Sequence, residues 1–156
     1  MVKVINPHNS LMEATLIGQG TLVLGYGSEV RKGVIIEING GVISIGNYSV
    51  IGYNSFIQAT GDLTVGTGSL LGPFNSFICS THVPTKGVPL NQVPLKKGKI
   101  VIKDNVWSGA NTIFNEGVEV GDNVVIGAAS FANKDIPNNQ VWAGVPAKFI
   151  KFGVES

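Results

Sequence analysis

The stretch that decides the fold is IGNYSVIGYNSFIQATGD, residues 45–62, which divides into three units of six residues. Each unit begins with isoleucine and carries serine or glycine at its fifth place. A six-residue period is too short for a helix with its connection, and it indicates a short extended segment followed by a corner. Glycine and asparagine within the units tolerate the positive φ that a tight corner requires.

The same period extends to both sides of this stretch. The further units are IGQGTL (17–22, a weaker copy), VGTGSL (65–70), LGPFNS (71–76), FICSTH (77–82), IKDNVW (102–107), SGANTI (108–113), FNEGVE (114–119), VGDNVV (120–125) and IGAASF (126–131). The first place is aliphatic or phenylalanine except at Ser108. Three such edges form a coil of about 18 residues, and stacked coils bury the apolar row of their neighbours. We therefore predict an all-β solenoid over residues 15–131; the strict period disfavours the alternative, an ordinary β-sandwich.

The period is interrupted directly after His82. Residues 83–101, VPTKGVPLNQVPLKKGKIV, contain three prolines and two glycines, which keep a segment out of a strand stack. We predict a protruding loop here, and a loop of this length in a compact domain is usually functional. In the tail, residues 132–156, Pro146 is expected to open a short terminal helix that caps the exposed strand edges of the last coil.

Composition narrows the classes of protein. The chain has 156 residues, a net charge of +1 and one cysteine. These values predict one domain over residues 1–156, no nucleic-acid binding by phosphate neutralisation, and no internal disulfide. Because neither a signal peptide nor a run of about 18 apolar residues is found, we expect no membrane span and a cytoplasmic location.

Residues 102–151, which run from IKDNVW to GVPAKFIK, resemble the C-terminal half of the hexapeptide-repeat acyltransferases. The similarity covers about residues 15–151 and is strongest to sugar O-acetyltransferases, such as the maltose and galactoside enzymes, and to polysaccharide-biosynthesis acetyltransferases. It implies a left-handed parallel β-helix, acetyl-CoA as acetyl donor and no metal. It also implies a homotrimer whose active sites lie in the grooves between subunits.

The resemblance also implies roles for individual residues. His82 matches the catalytic histidine, and Trp107 matches the tryptophan of the NVW element at the wall of the active site. The implied cofactor-binding residues are Trp107, Gly109, Ala110, Ala128, Lys134, Lys148 and Lys151. Coenzyme A lies along the small residues among them, and Lys148 and Lys151 meet its nucleotide end. A backbone N–H near Ser108 or Gly109 is the expected donor to the oxyanion. The asparagine and aspartate of galactoside-type acceptor sites are replaced by Gly52 and by Thr60 or Gly61, which leaves the acceptor open.

The implied reaction is O-acetylation of a sugar or surface-polysaccharide precursor by direct transfer, with His82 as general base. Histidine suits this task because its unperturbed pKa of about 6.5 lies near neutrality. Cys79 lies three residues away, and such residues point to opposite faces of an extended segment, so we predict a buried apolar packing role for it. The cluster of Lys96, Lys97 and Lys99 serves either solubility or attraction of an anionic acceptor, such as a nucleotide sugar or an acidic polysaccharide.

Three alternatives are weighed at this point, of which the second is disfavoured by the histidine count. An N-acetyltransferase acting on an amino sugar or an antibiotic would use the same residues. A γ-type carbonic anhydrase shares the solenoid but binds zinc through three histidines, whereas this chain has two, His8 and His82. A non-catalytic scaffold would show no affinity for acetyl-CoA.

Overall fold

The computed structural model describes residues 1–5, 10–11 and 13–153, so His8 lies outside the described residues. The chain winds into a left-handed parallel β-helix of about seven turns, as predicted. Each turn passes in order along three faces, which we call the first, second and third face. Between them lie three corners, which we name by the two faces they join.

The strands of each face pair in parallel with the strands of the turns before and after. The first face contains β2 (Ser10–Leu11), β4 (Glu29–Val30), β6 (Val50–Ile51), β9 (Leu70–Leu71), β14 (Trp107–Ser108), β17 (Val125–Ile126) and β19 (Gln140–Ala143). The second face contains the first halves of β3 (Thr15–Leu24) and β5 (Ile35–Ile45), then β7 (Phe56–Ala59), β10 (Ser76–Ile78), β15 (Ile113–Phe114) and β18 (Phe131–Ala132). The third face contains β1 (Val2–Ile5), the second halves of β3 and β5, β8 (Leu63–Val65), β13 (Ile100–Ile102) and β16 (Glu119–Val120).

The interior is a single apolar column filled by the first-place residues of the repeat. Ile51, Ile57 and Leu63 are fully buried in one turn, one from each face. Phe77 and Phe114 stack in adjacent turns with ring centroids 5.0 Å apart. Each turn thus buries the apolar row of the next, which is the packing that the six-residue period predicts.

Asparagines hold the corner between the third and first faces. Asn105, Asn123 and Asn139 occupy its last three turns, with φ values of 55°, 56° and 61°. Their side chains form a ladder: Asn105 Nδ2 donates to Asn123 Oδ1 at 2.8 Å, and Asn123 Nδ2 donates to Asn139 Oδ1 at 3.0 Å. Asparagine suits this position because it tolerates the left-handed region better than most residues.

The solenoid extends beyond both ends of the predicted range. Residues Val2–Ile5 pair in parallel with β3, and Gln140–Ala143 add a further rung to the first face by pairing with β17. The opening residues VKVI lack the glycine and the six-residue spacing, so the period did not reveal them. Backbone pairing needs no such signature, since any extended segment of suitable length can add a rung.

The predicted loop is present, but its base is a hairpin. Strand β11 (Ser80–His82) pairs antiparallel with β12 (Leu95–Lys97), and a 3₁₀ turn spans Leu90–Gln92. The solenoid resumes at Ile100, two residues before the predicted return at Ile102. The three prolines of the segment lie outside its strands, as their missing N–H groups require.

The expected helix at Pro146 is wrong. Residues 144–147 form a turn, and β20 (Lys148–Phe152) folds back antiparallel on β19. The segment forms a strand and not a helix because β19 offers an unpaired edge, whose backbone groups gain hydrogen-bond partners from β20. The tail therefore caps the first face with a hairpin. Within the described residues, no helix is long and apolar enough to cross a membrane.

Candidate active site

His82 lies at the end of β11, where the hairpin leaves the solenoid, and its side chain is exposed. Ser80, two residues earlier, is buried and anchors the strand, because its Oγ accepts a hydrogen bond from Gln58 Nε2 at 2.8 Å. The Cα of His82 lies opposite that of Leu95. Within the described part of the chain, the imidazole has no hydrogen-bond partner, so neither ring nitrogen is occupied by the protein. The arrangement suits a general base with a fixed backbone.

Cys79 is fully buried, as predicted. Burial, with a smaller contribution from the nearby Asp62 carboxylate, raises the pKa of its thiol to about 12. The thiolate is the reactive form of cysteine, so burial of the thiol suppresses its reactivity at neutral pH. Cys79 therefore packs as a small apolar residue.

Trp107 points outward from the first face with 57% of its surface exposed. It lines a groove of about 600 Å³ between the asparagine ladder and the end of the terminal hairpin. The other lining residues are Asn105, Asn123, Val125, Asn139, Phe152 and Gly153. The groove combines an indole ring with a row of amides, which suits a ligand that has both apolar and polar parts.

Gly109, Ala110 and Ala128 lie together at the corner between the first and second faces. A Cβ added to Gly109 would lie 2.6 Å from the Ala128 backbone nitrogen, so glycine permits the close approach of these two turns. The Gly109 N–H donates to the Ile126 carbonyl at 2.8 Å. This bond occupies the Gly109 N–H, which lies in the region where the donor to the oxyanion is expected.

Lys134, Lys148 and Lys151 are all exposed. Lys134 lies in the last turn, at the corner between the second and third faces that also carries the hairpin with His82. Lys148 and Lys151 lie on β20, opposite Ala143 and Val141. None of the three forms an ion pair with a described residue, so their ammonium groups are available to an anionic ligand.

A single chain does not bring all of the predicted residues together. His82 and Lys134 share one corner, whereas Gly109, Ala110 and Ala128 share another. Trp107 projects from the first face, which lies across the triangular prism from the corner of His82. A ligand that contacts both His82 and Trp107 therefore needs two chains.

Sequence reasoning missed Glu116, which packs beneath Gly98 at the end of the hairpin. A Cβ added to Gly98 would lie 2.6 Å from the Cβ of Glu116. Its Oε2 is buried and has no hydrogen-bond partner among the described residues. An acidic residue in a polar corner motif gives no signal of such burial. Within the described residues, no group of three or more His, Cys, Asp or Glu is placed to hold a metal ion.

Comparison with known proteins gives consistent matches. The family model "Bacterial transferase hexapeptide (six repeats)" matches residues 99–131. Galactoside O-acetyltransferase from Escherichia coli is 36% identical over 72% of this chain and 55% of its own length. The putative lipopolysaccharide biosynthesis O-acetyl transferase WbbJ from Escherichia coli is 29% identical over 82% of this chain and 71% of its own length. The chain thus spans about half the length of the first of these relatives.

Solved structures match over most of the chain. The hexapeptide-repeat containing acetyltransferase VCA0836 from Vibrio cholerae has a TM-score of 0.78 and 28% identity, over 84% of this chain and 73% of that protein. A structure of VCA0836 complexed with acetyl coenzyme A has a TM-score of 0.65 and 24% identity, over 93% and 73% of the two chains. The predicted resemblance is confirmed by these matches and by the fold.

Proposed function

We propose that this chain, which is similar to hexapeptide-repeat acyltransferases, acts as one and transfers an acetyl group from acetyl-CoA to a sugar hydroxyl. The acceptor is a free sugar or a precursor of a surface polysaccharide. The observation that carries the proposal is His82, an exposed and unpaired imidazole held at the mouth of a hairpin that interrupts the repeat. The O-acetyltransferase names of two relatives support transfer to oxygen.

In this mechanism His82 does the proton transfer. Acetyl-CoA supplies the acetyl group as a thioester. His82 takes the proton from the acceptor hydroxyl as that oxygen attacks the thioester carbonyl, and it returns the proton to the departing thiolate. A positioned base of this kind contributes about 10²–10⁴-fold to rate. Because the Cys79 thiol is buried and protonated, the transfer is direct.

The site is proposed to form between subunits of a homotrimer. His82 and Trp107 lie on opposite sides of the prism, so one chain cannot offer both to one ligand. The first and second faces expose apolar side chains, among them Leu70 and Ile113, which are 54% and 42% exposed. The third face carries the Lys103–Glu119 ion pair at 2.7 Å. Association of three chains about a threefold axis buries exposed apolar side chains and places the hairpin of one chain beside the groove of the next.

The cofactor is proposed to lie along the small residues and to end at the lysines. Ala110 and Ala128 leave room beside the solenoid, and Lys134, Lys148 and Lys151 offer unpaired ammonium groups to its phosphates.

The test is acetyl-CoA-dependent release of free thiol with a panel of sugars, nucleotide sugars and amino sugars. Wild type, His82→Gln and Thr81→Ala are compared, where Thr81 is the neighbour whose side chain points away from His82. We expect a loss of about 10²–10⁴-fold for His82→Gln and less than twofold for Thr81→Ala. Circular dichroism confirms that both variants are folded.

Three other results would change the proposal. Turnover of amino sugars alone would replace O-acetylation by N-acetylation. Full activity of a folded His82→Gln would remove His82 as the base. Failure of the wild type to bind acetyl-CoA in calorimetry would favour a scaffold.

A further inference from the structure

The hairpin lies in a segment of strong positive charge. Residues 63–103 contain five lysines and no aspartate or glutamate, whereas the rest of the chain carries a net charge of −4. Lys103 is neutralised by Glu119. The other four, Lys86, Lys96, Lys97 and Lys99, form no ion pair with a described residue. Uncompensated charge on one hairpin attracts anions to it.

The register of the hairpin separates two of these lysines. Lys97 lies opposite Ser80, Lys96 lies opposite Thr81, and Leu95 lies opposite His82. Directly opposite residues project to the same side of a hairpin, and the side alternates along each strand. Lys97 is therefore the diagonal neighbour of His82 on the same side, with Cα atoms about 7–8 Å apart. Lys96 projects to the other side.

The positions of the two lysines in the chain favour Lys97 over Lys99. Lys99 directly precedes Ile100, whose N–H donates to the Asp62 carbonyl at 2.9 Å, so Lys99 lies at the base of the hairpin, where the chain rejoins the third face. Lys97 lies two residues earlier, within β12, and pairs with Ser80 of β11. Lys97 is therefore the lysine that shares both the hairpin ladder and the side of His82.

We propose that Lys97 binds an anionic group of the acceptor next to the hydroxyl that His82 deprotonates. This inference rests on the proposed function and names its substrate class: a sugar carrying phosphate or carboxylate. The ammonium group, on a flexible four-carbon stem, binds as a point charge and accepts either anion. A neutral sugar such as a simple galactoside lacks this interaction.

The kinetic test compares Lys97→Gln with Lys96→Gln, a matched control that removes the same charge from the opposite side of the same hairpin. The acceptors are a uridine-diphosphate sugar, a uronic acid, and the neutral sugar that corresponds to each. We expect Lys97→Gln to raise KM for the anionic acceptors about tenfold, as the loss of one charge-assisted contact predicts. Lys96→Gln is expected to change it less than twofold, and neither variant should alter KM for acetyl-CoA.

The two anionic acceptors distinguish which kind of anion Lys97 binds. A tenfold effect with the nucleotide sugar alone assigns a phosphate, and one with the uronic acid alone assigns a carboxylate. Equal effects of the two variants, an effect on KM for acetyl-CoA, or an equal effect on neutral sugars would overturn the proposal. If neutral sugars are acetylated and neither anionic acceptor is, the proposal is overturned while the acetyltransferase activity stands.

A binding measurement does not depend on turnover. The chain has two histidines, so the imidazole proton resonance of His82 is assigned by comparison with His82→Gln. Titration with uridine diphosphate or with glucuronic acid should shift this resonance in wild type and in Lys96→Gln, and far less in Lys97→Gln. The absence of any shift in wild type with both probes would overturn the anion subsite.

Discussion

Asn75 and Ser108, both fully buried, are hydrogen-bonded inside the solenoid: Asn75 Nδ2 donates to Ser108 Oγ over 2.6 Å. Asn75 Oδ1 in turn accepts the Thr112 N–H at 2.8 Å. Ser108 is the residue that breaks the apolar first place of the repeat. Its hydroxyl ties the turn before the hairpin to the turn after it, which fixes their register although a long loop separates them in sequence.

Ser108→Ala should destabilise the fold by about 1–3 kcal/mol, because the Asn75 amide is then buried without its acceptor. Ser108→Ile restores the repeat pattern and should cost at least as much, since the larger side chain meets the same unpaired amide. Urea unfolding followed by circular dichroism at one protein concentration measures both. Ser76→Ala is the control, because Ser76 lies next to Asn75 but projects outward. A change below about 0.5 kcal/mol for Ser108→Ala would contradict a structural role for this pair.

The solenoid could be predicted from the sequence because one short-range pattern encodes it many times. Each unit repeats the same requirement, an apolar residue pointing inward and a residue tolerant of positive φ at the corner. Where a segment is used once, no repetition supports the prediction. The residues KFIKF, 148–152, form a strand because β19 offers an unpaired edge. The prediction of a helix at Pro146 rested on local propensity, which contains no information about that edge.

The site was predicted in part. His82 stood out in the sequence by its place at the interruption of the repeat, and the resemblance gave it the role of a base. The face on which Lys97 projects depends on hairpin register, and register depends on pairing between residues such as Ser80 and Lys97, which lie 17 positions apart. The use of the Gly109 N–H follows from the stacking of turns, in which the N–H groups of one turn donate to carbonyls of the next.

The buried thiol of Cys79 predicts a loss of stability at alkaline pH. Its pKa is about 12 in the folded protein, whereas an exposed thiol ionises near 8.5. Above that value the unfolded chain loses a proton that the folded chain keeps, so stability is fully present below about pH 8.5 and falls as pH rises towards 12. The loss between pH 7.5 and 9.5 should be roughly 1 kcal/mol larger for wild type than for Cys79→Ala. Equal slopes of unfolding free energy against pH would contradict burial of the thiol.

The left-handed backbone conformation of Ala129 predicts that a substitution at this position stabilises the protein. Its φ of 56° is left-handed, and the equivalent corner residue of the preceding turn is Asn111 at 58°. The left-handed conformation costs alanine about 1–2 kcal/mol of conformational free energy, and asparagine largely avoids this cost. Ala129→Asn should therefore stabilise the protein by about 1 kcal/mol and raise Tm by about 2–4 °C. Asn111→Ala is the reverse control and should lower Tm by a similar amount; a lower Tm for Ala129→Asn would show that a neighbouring group already fills this corner.

The opposite placement of His82 and Trp107 predicts complementation between inactive variants. His82→Ala removes the base, and Trp107→Ala removes the indole that lines the groove, so each homotrimer should be much less active than wild type. In mixed trimers from co-expression, a site that takes His82 from one chain and Trp107 from the next is intact at about one position in four. Activity should therefore return to about a quarter of the wild-type value. Co-expression of His82→Ala with the double variant His82→Ala/Trp107→Ala is the control and should restore nothing, since it contains no intact base. If the first mixture is no more active than its two parents, both residues act within one chain or Trp107 lies outside the site, and the proposal of a site between subunits fails.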